Sequence, residues 1–185
     1  MARWKITSSR QPGQEGAIAP GRTPLASACA AAWEAVLALP DGFLGDPVWW
    51  AFGWVGLLAD IALGLMFPAA LSGSVLHGAA QWLSCVLWQP VLEEVVFRWM
   101  LQGELLRTGW GSKRIGQISA ANLLCSLGFT AMHFAHHPPL WAASVFVPSL
   151  IFGWLRERYD GVGAPIGMHV LYNLEFFTVA ALFIA

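Results

Sequence analysis

Apolar and polar residues fall in long blocks along this chain rather than in short alternations. Residues 1–24, MARWKITSSRQPGQEGAIAPGRTP, are polar and rich in Gly, Pro and Ser. They lack the compact basic-then-apolar layout of a signal peptide and read as a flexible cytoplasmic tail. Leu25–Leu39 is apolar but contains Glu34 and is shorter than the roughly 20 residues a bilayer crossing needs. It is open between a weak span and an interfacial helix. Pro47 to Phe67 has the length of a span, with Asp60 inside it. From Ser74 to Arg107 the pattern predicts a long helix, kinked at Pro90 because proline removes a backbone donor and crowds the preceding turn. Ile115 to Leu155 contains no Asp, Glu, Lys or Arg, and HHPP at His136–Pro139 divides it into two spans. Gly163 to Phe183 forms the last. The expectation is an all-α polytopic membrane bundle of five spans, or six if Leu25–Leu39 crosses. Residues 25–185 form one helical domain in this reading.

Composition supports a lipid solvent. The chain is 57% hydrophobic and only 11% charged, against about 25% charged in soluble domains. Eleven tryptophans, several near the ends of apolar runs, fit rings seated at lipid–water interfaces. The net charge of −1, with no basic tract, points to no nucleic-acid partner. Cys29, Cys85 and Cys125 have neither metal-ligand nor disulfide spacing and read as small buried residues.

The basic residues set the orientation. With the N-terminus inside and Leu25–Leu39 interfacial, nine of the 10 Lys and Arg residues fall on the cytoplasmic side. Only Arg98 remains, within an apolar run.

Ionisable residues inside membrane helices are costly and are functional candidates by default. Here they cluster. In PVLEEVVFR, Glu94 and Arg98 are i,i+4 neighbours that can pair, while Glu93 projects about 100° away from Glu94. In FTAMHFAHH, Phe129 and His133 lie one turn apart, and in HVLYN so do His169 and Asn173. Glu93 and His133 could hold and deprotonate a water, and His169 and Asn173 could donate hydrogen bonds to the resulting oxyanion. His77, His136 and His137 read as packed or loop residues, and the sequence assigns no role to Asp60 or Glu175. Spacing alone leaves a transporter or binding protein, using the same groups for ligand or protons, equally open.

EEVVFR, FTAMH and HVLYN, in this order over Glu93–Asn173, resemble the three motifs of the CPBP family of CAAX proteases and bacteriocin-processing enzymes, also called the Abi family. The resemblance implies a glutamate-type intramembrane endopeptidase acting on a membrane-associated protein. It implies Glu93 as catalytic base, His133 as its partner on the water, and His169 with Asn173 as the oxyanion-stabilising pair. Glu94 and Arg98 match the supporting positions. No His-Glu-x-x-His motif is present, so no metal or other cofactor is expected. SAANLL, VPSLIFGWLRER and APIGMH resemble, more loosely, a bacterial branch that processes C-terminal sorting signals of exported proteins, which implies the bacterial inner membrane. Immunity and scaffolding roles within the family keep a non-catalytic alternative open.

Overall fold

A computed structural model describes residues 42–71 and 74–184, with the side chain of residue 70 left aside. The expected tail and the Leu25–Leu39 segment lie outside the described residues. A 3-10 turn, Phe43–Gly45, leads into α1, Pro47–Met66. The start of α1 is set by Asp46, whose side chain accepts from the Val48 N–H at 2.9 Å, and by Pro47 in the first turn. After a second 3-10 turn, Pro68–Leu71, residues 79–106 form one continuous helix, α2. A two-stranded ribbon follows: β1, Arg114–Ile115, is antiparallel to β2, Ile118–Ser119. Then come α3, Ala120–His133; the short α4, Pro139–Ser144; α5, Phe146–Tyr159; and α6, Gly163–Ile184.

The all-α expectation holds, with the ribbon as a small local departure. Gly116, at φ 61, supplies the left-handed residue of its two-residue turn, so the helix predicted to begin at Ile115 starts only after this hairpin. Ser119 then opens α3 by accepting from the Asn122 N–H at 2.9 Å. The break at HHPP is where it was expected, between α3 and α4.

Three stretches are long and apolar enough to cross a membrane: Pro47–Met66, Pro139–Tyr159 and Gly163–Ile184. The other two expected crossings are also helices, of different make. The α2 helix has the length but carries four charged residues, Glu93, Glu94, Arg98 and Glu104. The 14 residues of α3 rise about 21 Å, less than the roughly 30 Å of a hydrocarbon core.

Pro90 does not end α2. The helix widens to π geometry over Leu83–Trp88, returns to α over Gln89–Glu94, and widens again over Val95–Gln102. A π turn makes room for the proline ring, and such turns recur at functional sites.

In lipid there is little hydrophobic gain from bringing helices together, so close packing and polar contacts must hold the seams. The α1 helix packs along α6, α3 along α5, and α5 along α6. Phe43, Trp49, Phe152, Leu155, Ala164 and Met168 form the core where α1, α5 and α6 meet. At Gly153 the approach is so close that a Cβ would lie 2.0 Å from Asn122 Oδ1. Large apolar side chains such as Trp54, Leu58 and Leu65 on α1 point outward, as a lipid-facing surface requires.

Candidate active site

Three helices bring the motif residues together. The α2 helix carries Glu93, Glu94 and Arg98, α3 carries His133, and α6 carries His169 and Asn173. Glu94 and Arg98 are fully buried and paired, with Arg98 Nε 3.1 Å from Glu94 Oε2. Arg98 also donates to Ser149 on α5, at 2.8 Å to the hydroxyl and 3.2 Å to the carbonyl. Its guanidinium lies 5.4 Å from the centre of the Phe129 ring. One turn on, Gln102 donates to Gly153 O at 2.9 Å and to Glu157 at 2.8 Å. Glu94, Arg98 and Gln102 are thus spaced four apart on α2, and Ser149, Gly153 and Glu157 answer them four apart on α5. This ladder fixes the helix that carries the glutamates.

The second glutamate does more than neutralise the arginine. Glu94 Oε1 lies 2.9 Å from His169 Nδ1, while Glu93 Oε2 lies 3.7 Å from His169 Nε2. Two adjacent carboxylates reach the two nitrogens of one imidazole. They differ in access: the Glu94 side chain is 0% exposed and the Glu93 side chain 33%. His169 is also stacked on Phe152, with ring centres 4.6 Å apart at 20°. Sequence spacing grouped Glu93 with His133; the ionic neighbour of Glu93 among the described residues is His169. Helical spacing reports neighbours on one helix and is silent on which ring a second helix delivers.

His133 stands on Phe129. Its Nδ1 is 2.9 Å from Phe129 O, and a carbonyl can only accept, so that nitrogen carries the proton and Nε2 keeps its lone pair. The ring is flanked by Phe129, His137 and Trp141, with centre distances of 4.6, 5.7 and 5.9 Å.

Asn173 makes its hydrogen bond away from His169. Its Nδ2 donates to Cys85 O in the first π segment of α2 at 2.8 Å. Pro90 explains why that carbonyl is free. The Gln89 N–H is drawn back to Ser84 O, and the next residue able to reach Cys85 O along a π ladder is Pro90, which has no N–H. Asn173 therefore ties α6 to α2 at the point where the proline leaves an acceptor. One of its two amide hydrogens remains for other use.

Ser149, Phe152 and Gln102 were not singled out from the sequence, although the four-residue spacing of Glu94, Arg98 and Gln102 was there to be read. His136 and His137 lie in the α3–α4 loop, and His77 precedes α2. Cys125 is buried and Cys85 half-buried. Asp60 and Glu175 lie apart from the motif cluster, between α1 and α6. Glu175 Oε2 sits 3.1 Å from where a Cβ on Gly56 would stand, buried and without a hydrogen-bond partner. Among the described residues, no group of three or more His, Cys, Asp or Glu is placed to hold a metal ion.

A model of the type II CAAX prenyl endopeptidase Rce1-like family matches residues 74–174. The chain belongs to this family. The matched region begins just before α2 and ends one residue beyond Asn173, so it contains all three motifs. No curated protein and no solved structure matches the chain. At family level the molecule is an integral membrane protein of the CAAX protease class, and its substrate class is protein within a membrane.

Proposed function

We propose that this family member is a glutamate-type intramembrane endopeptidase, with Glu93 as the base. The observation that carries this reading is the unequal treatment of two adjacent carboxylates. Glu94 is buried and shared between Arg98 and His169, whereas Glu93 stays partly open beside His169 Nε2. A carboxylate held by a cation and a ring serves as scaffold, and one left partly free can take a proton.

In the reaction we infer, the Glu93 carboxylate and the His133 Nε2 lone pair hold a water. Glu93 accepts its proton while the oxygen adds to the scissile carbonyl. With a proton on each nitrogen, His169 donates through Nδ1 to Glu94 and through Nε2 toward the developing oxyanion. The second amide hydrogen of Asn173 adds a further donor, and oriented donors in a water-poor site are effective stabilisers. Collapse of the tetrahedral intermediate breaks the C–N bond, and the proton held by Glu93 passes to the departing amine. No step draws on a cofactor.

The substrate we favour is a membrane-associated protein of the bacterial inner membrane, cut near a C-terminal sorting signal. The looser phrases around SAANLL and APIGMH support that choice. The test is incubation of the purified full chain with a co-expressed candidate substrate, wild type against Glu93→Ala, with and without a strong chelator. Cleavage by wild type alone, unaffected by chelation, is the expected result. Cleavage lost on chelation and restored by zinc would replace the glutamate mechanism with a metal-dependent one.

A further inference from the structure

Toward the C-terminal end of α2, beyond the glutamates, the ends of α2 and α5 line a separate half-open cavity of about 390 Å³. Arg107, Arg114 and Arg156 line it together with Trp99 and two carboxylates, Glu157 and Asp160. The apolar stretch Pro139–Tyr159 ends here, so the cavity lies where that helix leaves the apolar phase.

The three guanidinium groups are occupied unequally. Arg114 is held by Glu157 and by Gln117 O. Glu157 also accepts from Gln102 and Ser119, so this carboxylate is fully engaged. Arg107 pairs with Glu104, but the two side chains are 77% and 69% exposed, and such a pair exchanges readily with water. Arg156 differs from both. Its side chain is only 14% exposed, yet its ion-pair partner is Asp160 at 3.3 Å, a carboxylate 87% exposed and free to turn into solvent. The Arg156 Nε is closed to solvent and makes no hydrogen bond, so the cavity is lined by other atoms of this side chain. A guanidinium whose partner is so exposed is only loosely engaged, and the fork of such a group matches two oxygens of one anion.

We propose that this cavity binds the phosphate of an anionic phospholipid. Arg156 would take two phosphate oxygens, Arg107 would swing from Glu104 to a third contact, and the exposed Trp99 would lie along the glycerol and upper chain. Glu157 does not oppose the anion, because Arg114 neutralises it. The position at a helix end on the apolar boundary favours a lipid headgroup over free phosphate, and basic pockets between membrane helices are suited to such headgroups.

The full chain in detergent is titrated with phosphatidylglycerol or phosphatidylcholine and followed by native mass spectrometry and thermal melting. One phosphatidylglycerol should be retained, with a Tm rise of roughly 5–10 °C at a hundredfold excess over Kd. Arg107→Gln, at an exposed position, should leave the lipid-free Tm unchanged and weaken retention roughly fivefold, the weight of one interfacial basic residue. Arg156→Gln should abolish the Tm rise. Soluble glycerol phosphate is the second arm: a rise of equal size, weakened in Arg107→Gln and lost in Arg156→Gln, overturns the lipid as occupant and moves the phosphate's source to the aqueous phase. Equal retention of phosphatidylcholine, or a phosphatidylglycerol response unchanged in both variants, overturns the proposal.

Discussion

Two seams in this molecule place ionisable residues between helices, and they are built on opposite principles. Along α2 and α5, the buried charges and amides are joined, Glu94 with Arg98, Arg98 with Ser149, Gln102 with Gly153 O and Glu157, although Arg98 Nη1 and Gln102 Oε1 make no hydrogen bond. Along α1 and α6, Asp60 and Glu175 are electrostatic neighbours with no described ion pair to a cation. There the helices are joined by small residues and by the Tyr172 hydroxyl, which donates to Phe52 O at 2.9 Å. A seam with its charges matched can hold a catalytic side chain still. A seam with unmatched carboxylates relies on packing and gains nothing from the charge itself.

The largest expected effects come from the two adjacent glutamates. Glu93→Gln should reduce cleavage by at least about 100-fold, the usual weight of a general base, with expression and melting temperature nearly unchanged. Glu94→Gln should strand Arg98 and loosen His169, and breaking a buried pair costs about 3–5 kcal/mol. Its main phenotype should be lost stability, with cleavage falling as a consequence. A stable Glu93→Gln protein that cleaves at the wild-type rate would remove Glu93 from the base position.

Gly153→Ala probes, by shape alone, the face of α5 that packs on α3 beside the matched seam. The new methyl would meet Asn122, which is held by Ser126 and by Leu150 O. Overpacking of this kind costs about 1–3 kcal/mol. Thermal melting should show a clear loss; an unchanged curve would mean that α3 and α5 are not locked together here.

The unmatched seam should respond the other way. Glu175→Gln replaces an ionisable carboxyl beside Asp60 by a neutral amide that carries no charge to desolvate, and should raise stability by up to about 1 kcal/mol. Cleavage should not change. A marked loss of stability would show that Glu175 has a partner and that the two seams are alike.

The smallest effect is expected at Asp46, outside the spans. Burial by itself would push its carboxyl up, but hydrogen bonds from Arg158, the Val48 N–H and Tyr159, together with the Arg158 charge, hold it below the ordinary value. A depressed carboxylate stabilises the fold above its unfolded pKa of about 3.9, and that contribution is lost as pH falls through the folded value. Because the Arg158 partner is 36% exposed, the contribution should stay within about 0.2–1 kcal/mol. Asp46→Asn should keep the helix cap while flattening the acid limb of a Tm-against-pH curve. An unaltered acid limb would assign the acid sensitivity elsewhere.

Much of this architecture is carried by local chemistry. Block hydropathy places α1, the α4–α5 stretch and α6, because a bilayer demands about 20 apolar residues whatever their neighbours. The Pro-Pro pair ends one helix and begins another for a reason internal to two residues. Glu94 and Arg98 meet through i,i+4 spacing, which is a property of one helix. What needed the tertiary structure is everything that depends on a second helix. No spacing rule could place His169 between both glutamates, or Ser149 beneath Arg98. None could predict that Asn173 answers a carbonyl left open by Pro90 on another helix. Periodicity specifies which face a residue occupies, whereas the partner on that face is set by the crossing of helices distant in sequence, where close packing decides which polar groups can meet.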